Sequence, residues 1–198
     1  MTTPEKDPKD PSNVSGMCDA RGEIEVLSGL VRSLTVPGPV VEIGCFAGRS
    51  SLALALPCQA TNRKFIGIDP WVDMPGIHSE GMDSVHDEFL ANMENAGLVL
   101  GQDFEVYRER SEDALQHFQE QSLAMVFVDG DHEYEGAKKD LIGYPPMIKP
   151  GGILVCHDCG QGRWPGVEVA WREVLADNSR LCHATYVLSL AWAYVEEE

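Results

Sequence analysis

Acidic, imidazole and glycine residues occur at four points of the chain where a short apolar segment ends. These groups are Glu42 with Gly44, Asp69, Asp129 with His132, and His157 with Asp158. Carboxylates and imidazoles bind cations and move protons, and neighbouring glycines let the backbone approach a ligand closely. The pattern therefore indicates a binding and catalytic site built from the ends of several strands.

The first of these points is a strand–turn–helix in which Gly44 and Gly48 lie four residues apart. Gly44 permits a sharp turn, and Gly48 precedes a helix N-terminus whose free N–H groups favour polar ligands. Phe46 stands where a dinucleotide fingerprint has its second glycine, and the chain has no Gly-Lys-Ser/Thr phosphate loop. Glu42 favours a ligand with an ammonium group over a pyrophosphate. A tight turn without a ligand would explain the two glycines equally well.

Asp69 ends the second apolar segment, about 25 residues after the glycine turn. Nucleotide-binding α/β proteins carry an acid at this place, where it accepts hydrogen bonds from ribose hydroxyls. A solvated acid at the end of a strand is the alternative. Because both spacings match, a nucleoside-bearing ligand is favoured.

Apolar segments alternate with helical patterns along most of the chain. Strands are predicted at 40–44, 64–69, 104–107, 123–128 and 153–156, with two more within 184–196. Helices are predicted at 22–34, 48–56, 89–96, 111–119, 134–142 and 166–176. This alternation indicates an α/β fold with a doubly wound, mostly parallel sheet. Ligands of such sheets bind beyond the carboxyl ends of the strands, where the acidic groups lie.

Three local features refine these expectations. Pro57 should stop the second helix, because proline lacks the N–H that a helix interior needs. Ser111 should cap the fourth helix, since serine is a favoured N-cap residue. Residues 149–152, Lys-Pro-Gly-Gly, should form a turn before the fifth strand.

The 198 residues carry 32 acidic against 15 basic side chains, which is a formal net charge of −17. Nucleic-acid and anionic-membrane partners are disfavoured, because both require clustered Lys and Arg. No apolar run approaches the roughly 18 residues of a membrane span. The six scattered cysteines indicate free thiols and a cytoplasmic location.

One domain is expected for a chain of this length. Residues 1–16 are polar and proline-rich, so they are expected to be a disordered leader and not a signal peptide. Residues 17–198 are expected to be a single domain, in which residues 72–88 form a lid over the site.

Four segments in order resemble the class I S-adenosylmethionine-dependent methyltransferases, in the branch of small-molecule O-methyltransferases with an Asp-Gly-Asp-His signature. The segments are Glu42-x-Gly44-x-x-x-Gly48-x-Ser50, Gly67–Trp71, Asp129–His132 with Tyr134, and Pro150–Gly152 with His157-Asp158. The resemblance implies a Rossmann-like sheet of seven strands that ends in an antiparallel hairpin. It also implies methyl transfer from S-adenosylmethionine to a hydroxyl of a sugar, natural product or phenol.

The same resemblance assigns residues to the cofactor. Glu42 and Gly44 would contact its methionine part, Asp69 would accept both ribose hydroxyls, and Trp71 would lie near the adenine. The other residues that it implies for cofactor binding are Cys45, Phe46, Gly48, Ser50, Ser111, Glu112 and Asp129.

Metal-dependent relatives imply a divalent cation, Mg²⁺ or Mn²⁺, held by Asp129, His157 and Asp158. His157 stands where an acid is usual, so either a cation that accepts nitrogen ligands is bound or the metal is missing. His132 and His157 are the candidate bases, because an imidazole accepts a proton near neutral pH. Asp129 completes the expected catalytic set.

Other functions remain open at the level of sequence. A metal-dependent enzyme of different chemistry, similar to cephalosporin 7-hydroxylase-type proteins, would use the same scaffold. A non-catalytic cofactor-binding protein would keep the loop after the first strand, and a dinucleotide oxidoreductase is a third alternative. The partner expected for the favoured function is a small-molecule acceptor. The sequence leaves open both its identity and the oligomeric state, a homodimer included.

Overall fold

A seven-stranded sheet with helices on both faces forms the centre of the computed structural model, which describes residues 6–16, 22–72, 81–160 and 162–197. The strands are β1 (Val40–Ile43), β2 (Phe65–Ile68), β3 (Phe104–Tyr107), β4 (Leu123–Val128), β5 (Ile148–Cys156), β6 (Leu181–Val187) and β7 (Leu190–Val195). The helices are α1 (Glu23–Ser33), α2 (Arg49–Ala60), α3 (Met82–Asn95), α4 (Ser111–Ala114), α5 (Tyr134–Gly143) and α6 (Pro165–Asp177).

The order of strands across the sheet is β3-β2-β1-β4-β5-β7-β6. The first five strands are parallel, and β7 runs antiparallel to both β5 and β6. The chain order reverses direction at β1, where β2 lies on one side and β4 on the other. This confirms the predicted fold class, including the terminal antiparallel hairpin.

Alternate residues of β1 enter two different cores. Val40 packs in the cluster that includes α1, α2 and α3, whereas Val41 and Ile43 pack in the cluster that includes α5 and α6. Both faces of the strand are therefore buried, which explains why its sequence is a continuous apolar run around Glu42.

Helix α2 does not stop at Pro57, as predicted, but continues to Ala60. A proline at this position cannot donate the usual hydrogen bond to the carbonyl of Ala53. The hydroxyl of Ser28 on α1 donates to that carbonyl instead, at 2.7 Å. A contact between two helices thus satisfies the group that the proline leaves unpaired.

Two further expectations about local structure were wrong. Ser111 is the first residue of the short helix α4 and not its cap, and its hydroxyl donates to Asp140 on α5. Residues 149–152 belong to β5, whose pairing with β4 is irregular between Leu123 and Met125. For Ser111, a long-range partner on α5 replaces the local one that the sequence pattern suggested.

Residues 6–16 differ from the predicted disordered leader. Pro11–Asn13 forms a single 3-10 turn that is capped by the side chain of Asp10. Val14 is buried in the core beside α2, and its carbonyl accepts a hydrogen bond from Nε of Arg49 at 2.7 Å. One apolar side chain therefore anchors a segment whose composition is otherwise polar, while residues 1–5 lie outside the described part.

The predicted lid is described only in part. Helix α3 begins at Met82, so the second half of the 72–88 segment is helical and not irregular. Residues 73–80 lie outside the described part of the chain. A role of the segment as a lid stays a prediction.

The bond between Ser28 and Ala53 predicts a coupled effect on stability. Ser28→Ala should lower the free energy of unfolding by about 1 kcal/mol, because it leaves a buried carbonyl unpaired. In a Pro57→Ala background, residue 57 regains an N–H that is able to donate to the carbonyl of Ala53. Ser28→Ala should then lower the free energy of unfolding by clearly less. Urea unfolding of the wild type, the two single variants and the double variant measures the loss of unfolding free energy in each background. Equal losses in the two backgrounds would contradict this role of Ser28.

Candidate active site

The carboxyl ends of β1, β2, β4 and β5 open into one cavity of about 280 Å³. The predicted site residues in its wall are Gly44, Cys45, Phe46, Ser50, Asp69, Ser111, Glu112, Asp129, His132, His157 and Asp158. The fold thus brings together most of the residues that the sequence singled out. Glu42, Gly48 and Trp71 do not line this cavity and have other surroundings.

Gly44 lies where the end of β1 passes the end of β4. Its φ is +86°, and a Cβ at this position would lie 2.1 Å from the carbonyl oxygen of Asp129. Any other residue would separate the two strand ends. Gly44 therefore allows the loop after β1 and the Asp129 segment to share a cavity.

Asp69 holds the two segments that follow β1 and β2. Its Oδ2 accepts the backbone N–H groups of Cys45 and Phe46 at 2.9 and 3.0 Å, and its Oδ1 accepts the N–H of Trp71 at 2.8 Å. Phe46 and Trp71 have φ values of +47° and +41°, which are costly for residues other than glycine. The Asp69 carboxylate stabilises this backbone and still offers lone pairs to the cavity.

Glu42 is fully buried behind the loop after β1. The hydroxyl of Ser51 donates to Oε2, whereas Oε1 has no hydrogen-bond partner among the described residues. Burial raises the pKa of Glu42 to about 8, although the hydroxyls of Ser50 and Ser51 lower it. The side chain therefore faces α2 and not the cavity, which differs from the expected contact with the methionine part of the cofactor.

Gly48 and Trp71 lie behind the cavity wall as well. Gly48 precedes α2, and a Cβ there would lie 3.1 Å from the ring of Phe89. Trp71 is 1% exposed, and its indole N–H donates to the carbonyl of Phe46 at 2.9 Å. Both residues shape the loops of the site, whereas the sequence led us to expect direct contact with the cofactor.

Asp129, His132 and Asp158 form one of two groups among the described residues whose ligand atoms lie close enough to hold a metal ion. One ligand atom from each residue lies within 4.8 Å of the other two. The His132 ring lies beside that of Trp164, with 4.7 Å between the ring centroids, and its Nδ1 is 3.3 Å from Oδ2 of Asp158. His132, and not His157, is thus the histidine of this group.

His157 lies beneath this group and is 5% exposed. Its Nδ1 is 2.9 Å from Oδ1 of Asp129, and its Nε2 faces Glu23 at 3.4 Å and Oγ of Ser189 at 3.1 Å. Burial lowers the pKa of His157, but the charges and hydrogen bonds of Asp129, Asp158 and Glu23 outweigh this effect and raise it well above the usual value. Both ring nitrogens of His157 thus face protein partners, and a role of His157 as a base or a metal ligand stays a prediction.

Some residues of the site carry no signal in the sequence. Glu23 begins α1, where an acidic residue is commonplace, and Asp140 lies in the middle of α5. Burial raises the pKa of Asp140 to about 6 against the lowering effect of the Ser111 hydroxyl. Arg163 and Trp164, which also line the cavity, follow no recognisable motif.

A parallel sheet in this order, closed by a reversed hairpin and carrying its acids at the carboxyl ends of the strands, defines the class I methyltransferase fold. The sequence profile of a family described as "Methyltransferase domain" matches residues 41–159. The chain therefore belongs to this methyltransferase family, which confirms the resemblance. No curated protein matches the sequence.

Solved structures share the fold at low sequence identity. A protein from Corynebacterium glutamicum has a TM-score of 0.74 at 18% identity, with 100% of this chain and 93% of that chain covered. The O-methyltransferase TomG from Streptomyces achromogenes, in complex with SAM, has a TM-score of 0.69 at 19% identity, with 90% and 82% covered. An O-methyltransferase from Bacillus cereus, in complex with SAH, has 0.69 at 17%, with 95% and 87% covered.

The described helices include none with the length and apolar character that a membrane span needs. The five cysteines in the described residues are free thiols, as expected. Cys156 and Cys159, three positions apart in the chain, are both buried.

The buried Glu42 predicts a pH-dependent stability. Between about pH 5 and 8 the folded protein keeps this proton whereas the unfolded chain releases it, so the free energy of unfolding should fall as pH rises. The glutamine of Glu42→Gln does not titrate. The free energy of unfolding of this variant should therefore lack a fall of a few kcal/mol between these pH values, since one pKa unit corresponds to about 1.4 kcal/mol. Urea unfolding across this range, with the exposed Glu120→Gln as control, measures the difference. Parallel profiles for Glu42→Gln and the wild type would contradict the raised pKa.

Proposed function

We propose that the protein transfers the methyl group of S-adenosylmethionine to a hydroxyl of a small molecule, with a divalent cation at Asp129, His132 and Asp158. One observation carries the proposal: Asp69 and the glycine loop share a single cavity with a carboxylate–imidazole cluster. Membership in a methyltransferase family supports it, and so do the likenesses to O-methyltransferases solved with SAM or SAH.

The residues at the ends of β1 and β2 fit the cofactor. The oxygens of Asp69 are already held by three N–H groups, so the carboxylate is oriented before a ribose arrives. S-adenosylmethionine would supply a methyl group that its sulfonium already activates. The protein mainly has to orient donor and acceptor, which is worth on the order of 7–11 kcal/mol in well-aligned reactions. Ser111 and Glu112 form another part of the same wall.

The residues at the ends of β4 and β5 fit a divalent cation. Two carboxylates and one imidazole are a mixed donor set, which favours Mn²⁺, Fe²⁺ or Zn²⁺ over Mg²⁺. The side chains of the three residues are 13–15% exposed, so they reach the cavity while being partly shielded from water. A bound cation would lower the pKa of an acceptor hydroxyl. The contacts with Trp164 and Asp158 restrict the His132 ring.

Calorimetry with S-adenosylmethionine and S-adenosylhomocysteine tests the cofactor site. The wild type should bind both, and Asp69→Asn should weaken binding by about tenfold or more, because it removes a charged acceptor of hydrogen bonds. Asp177→Asn, at the exposed end of α6, is the control and should bind like the wild type. Unchanged affinity of Asp69→Asn would contradict the assignment.

Turnover separates the proposal from a non-catalytic role. Sugars, phenols and other hydroxylated acceptors are incubated with S-adenosylmethionine, and the formation of S-adenosylhomocysteine is measured. Methylated product is expected with at least one acceptor class. Tight cofactor binding without turnover on any acceptor would favour a cofactor-binding protein.

Cation binding is tested with Mn²⁺, followed by electron paramagnetic resonance. His132→Ala should weaken Mn²⁺ binding by at least about tenfold, which is about 1.4 kcal/mol, because it removes a ligand. His117→Ala is the matched control, since His117 lies away from the cavity beside Glu109. Turnover should be lost in EDTA and return with Mn²⁺. Turnover that resists EDTA would remove the cation from the proposal and leave His132 as the candidate base.

A further inference from the structure

Helix α1 brings a carboxylate to the centre of the molecule. Glu23, its first residue, is 1% exposed. Its Oε1 accepts hydrogen bonds from both the backbone N–H and the hydroxyl of Ser189, in the turn between β6 and β7. Its Oε2 lies 3.4 Å from Nε2 of His157. Burying a carboxylate costs free energy unless the group is paired, so these contacts with Ser189 and His157 are needed to keep Glu23 in the interior.

His157 lies between Glu23 and the proposed cation site. Its Nδ1 is 2.9 Å from Oδ1 of Asp129, while Nε2 faces Glu23 on the opposite side of the ring. An ionised carboxylate only accepts hydrogen bonds, so Nδ1 donates to Asp129, while Nε2 lies between Glu23 and the hydroxyl of Ser189, 3.1 Å away. Glu23 thus anchors the side of the imidazole that points away from the cavity. The ring cannot turn without losing a bond at one end.

We infer that Glu23 is a positioning residue, which holds His157 so that His157 in turn fixes the Asp129 carboxylate for cation binding with His132 and Asp158. The inference rests on the proposed function, because it explains Glu23 through a cation at those three residues. Asp129 with one oxygen fixed by His157 cannot rotate out of the cavity. Preorganisation of this kind is what partners of metal ligands commonly provide.

The network also connects distant parts of the chain. Glu23 begins α1, and Ser189 lies in the terminal hairpin, whose backbone carbonyl accepts the N–H of Cys159 at 2.9 Å. The segment that carries His157 and Asp158 is thus held from both α1 and the hairpin. We expect a change at Glu23 to reach the cation site while the Asp69 side of the cavity stays unaltered.

The test measures Mn²⁺ affinity and S-adenosylhomocysteine affinity on the full chain. Glu23→Gln should weaken Mn²⁺ binding by about ten- to hundredfold, the range known for partners of metal ligands. Its affinity for S-adenosylhomocysteine should stay within about twofold of the wild type, because Asp69 is bound to other groups. Glu25→Gln, an exposed residue in the same helical turn, is the control and should change neither. Glu23→Asp keeps the charge and should recover part of the Mn²⁺ affinity.

Each contrary result has a separate meaning. Wild-type Mn²⁺ affinity in Glu23→Gln overturns the inference and leaves the proposed function intact. Parallel losses of Mn²⁺ and S-adenosylhomocysteine binding also overturn it, because they show a general effect on the fold. A wild type that binds no Mn²⁺ overturns the proposed cation site itself. Should Glu23→Gln not fold, Ser189→Ala decides: a smaller loss of Mn²⁺ affinity supports the inference, and an unchanged affinity overturns it.

Discussion

The close passage of the ends of β1 and β4 is the constraint on which the site depends. The N–H of Asp129 donates to the carbonyl of Ile43 at 2.8 Å, and the N–H of Gly44 donates to Ile68 at 2.9 Å. Three strand ends are thereby joined by backbone hydrogen bonds, and only a glycine fits between them. Because of this junction, Asp69 and Asp129 belong to one cavity although 60 residues separate them in the chain.

The buried acids around this junction are neutralised in different ways. Glu42 keeps its proton, because burial raises its pKa to about 8, and Asp140 is shifted in the same direction beside Ser111. Glu23 is paired with the imidazole of His157. Asp129 and Asp158 have that same imidazole between them and also face the cavity. Within a chain of net charge −17, these carboxylates are therefore accommodated by different means.

The sequence predicted those parts of the molecule that depend on local periodicity. The bounds of β3 and β4 agree with their apolar patterns, and the acids at the strand ends do meet in one cavity. The errors at Pro57 and Ser111 share a cause, since a partner from another helix decides each case. Glu23 and His157 are 134 residues apart, so no spacing rule relates them. Val14 was missed for the same reason, because its burial depends on α2.

The different surroundings of His132 and His157 show what motif order alone cannot decide. Both histidines lie close to an acid at a strand end. The motif assigns the role of metal ligand to His157, because His157 stands where metal-dependent relatives carry a ligand. Asp158 adopts a φ of +61°, and its Oδ2 lies 3.3 Å from Nδ1 of His132 and 3.6 Å from Nδ1 of His157. His157 follows the end of β5, and its Nε2 contacts Glu23 and Ser189 in the interior. The His132 side chain is 15% exposed and that of His157 is 6% exposed, so burial distinguishes two side chains that the sequence presents as equivalent.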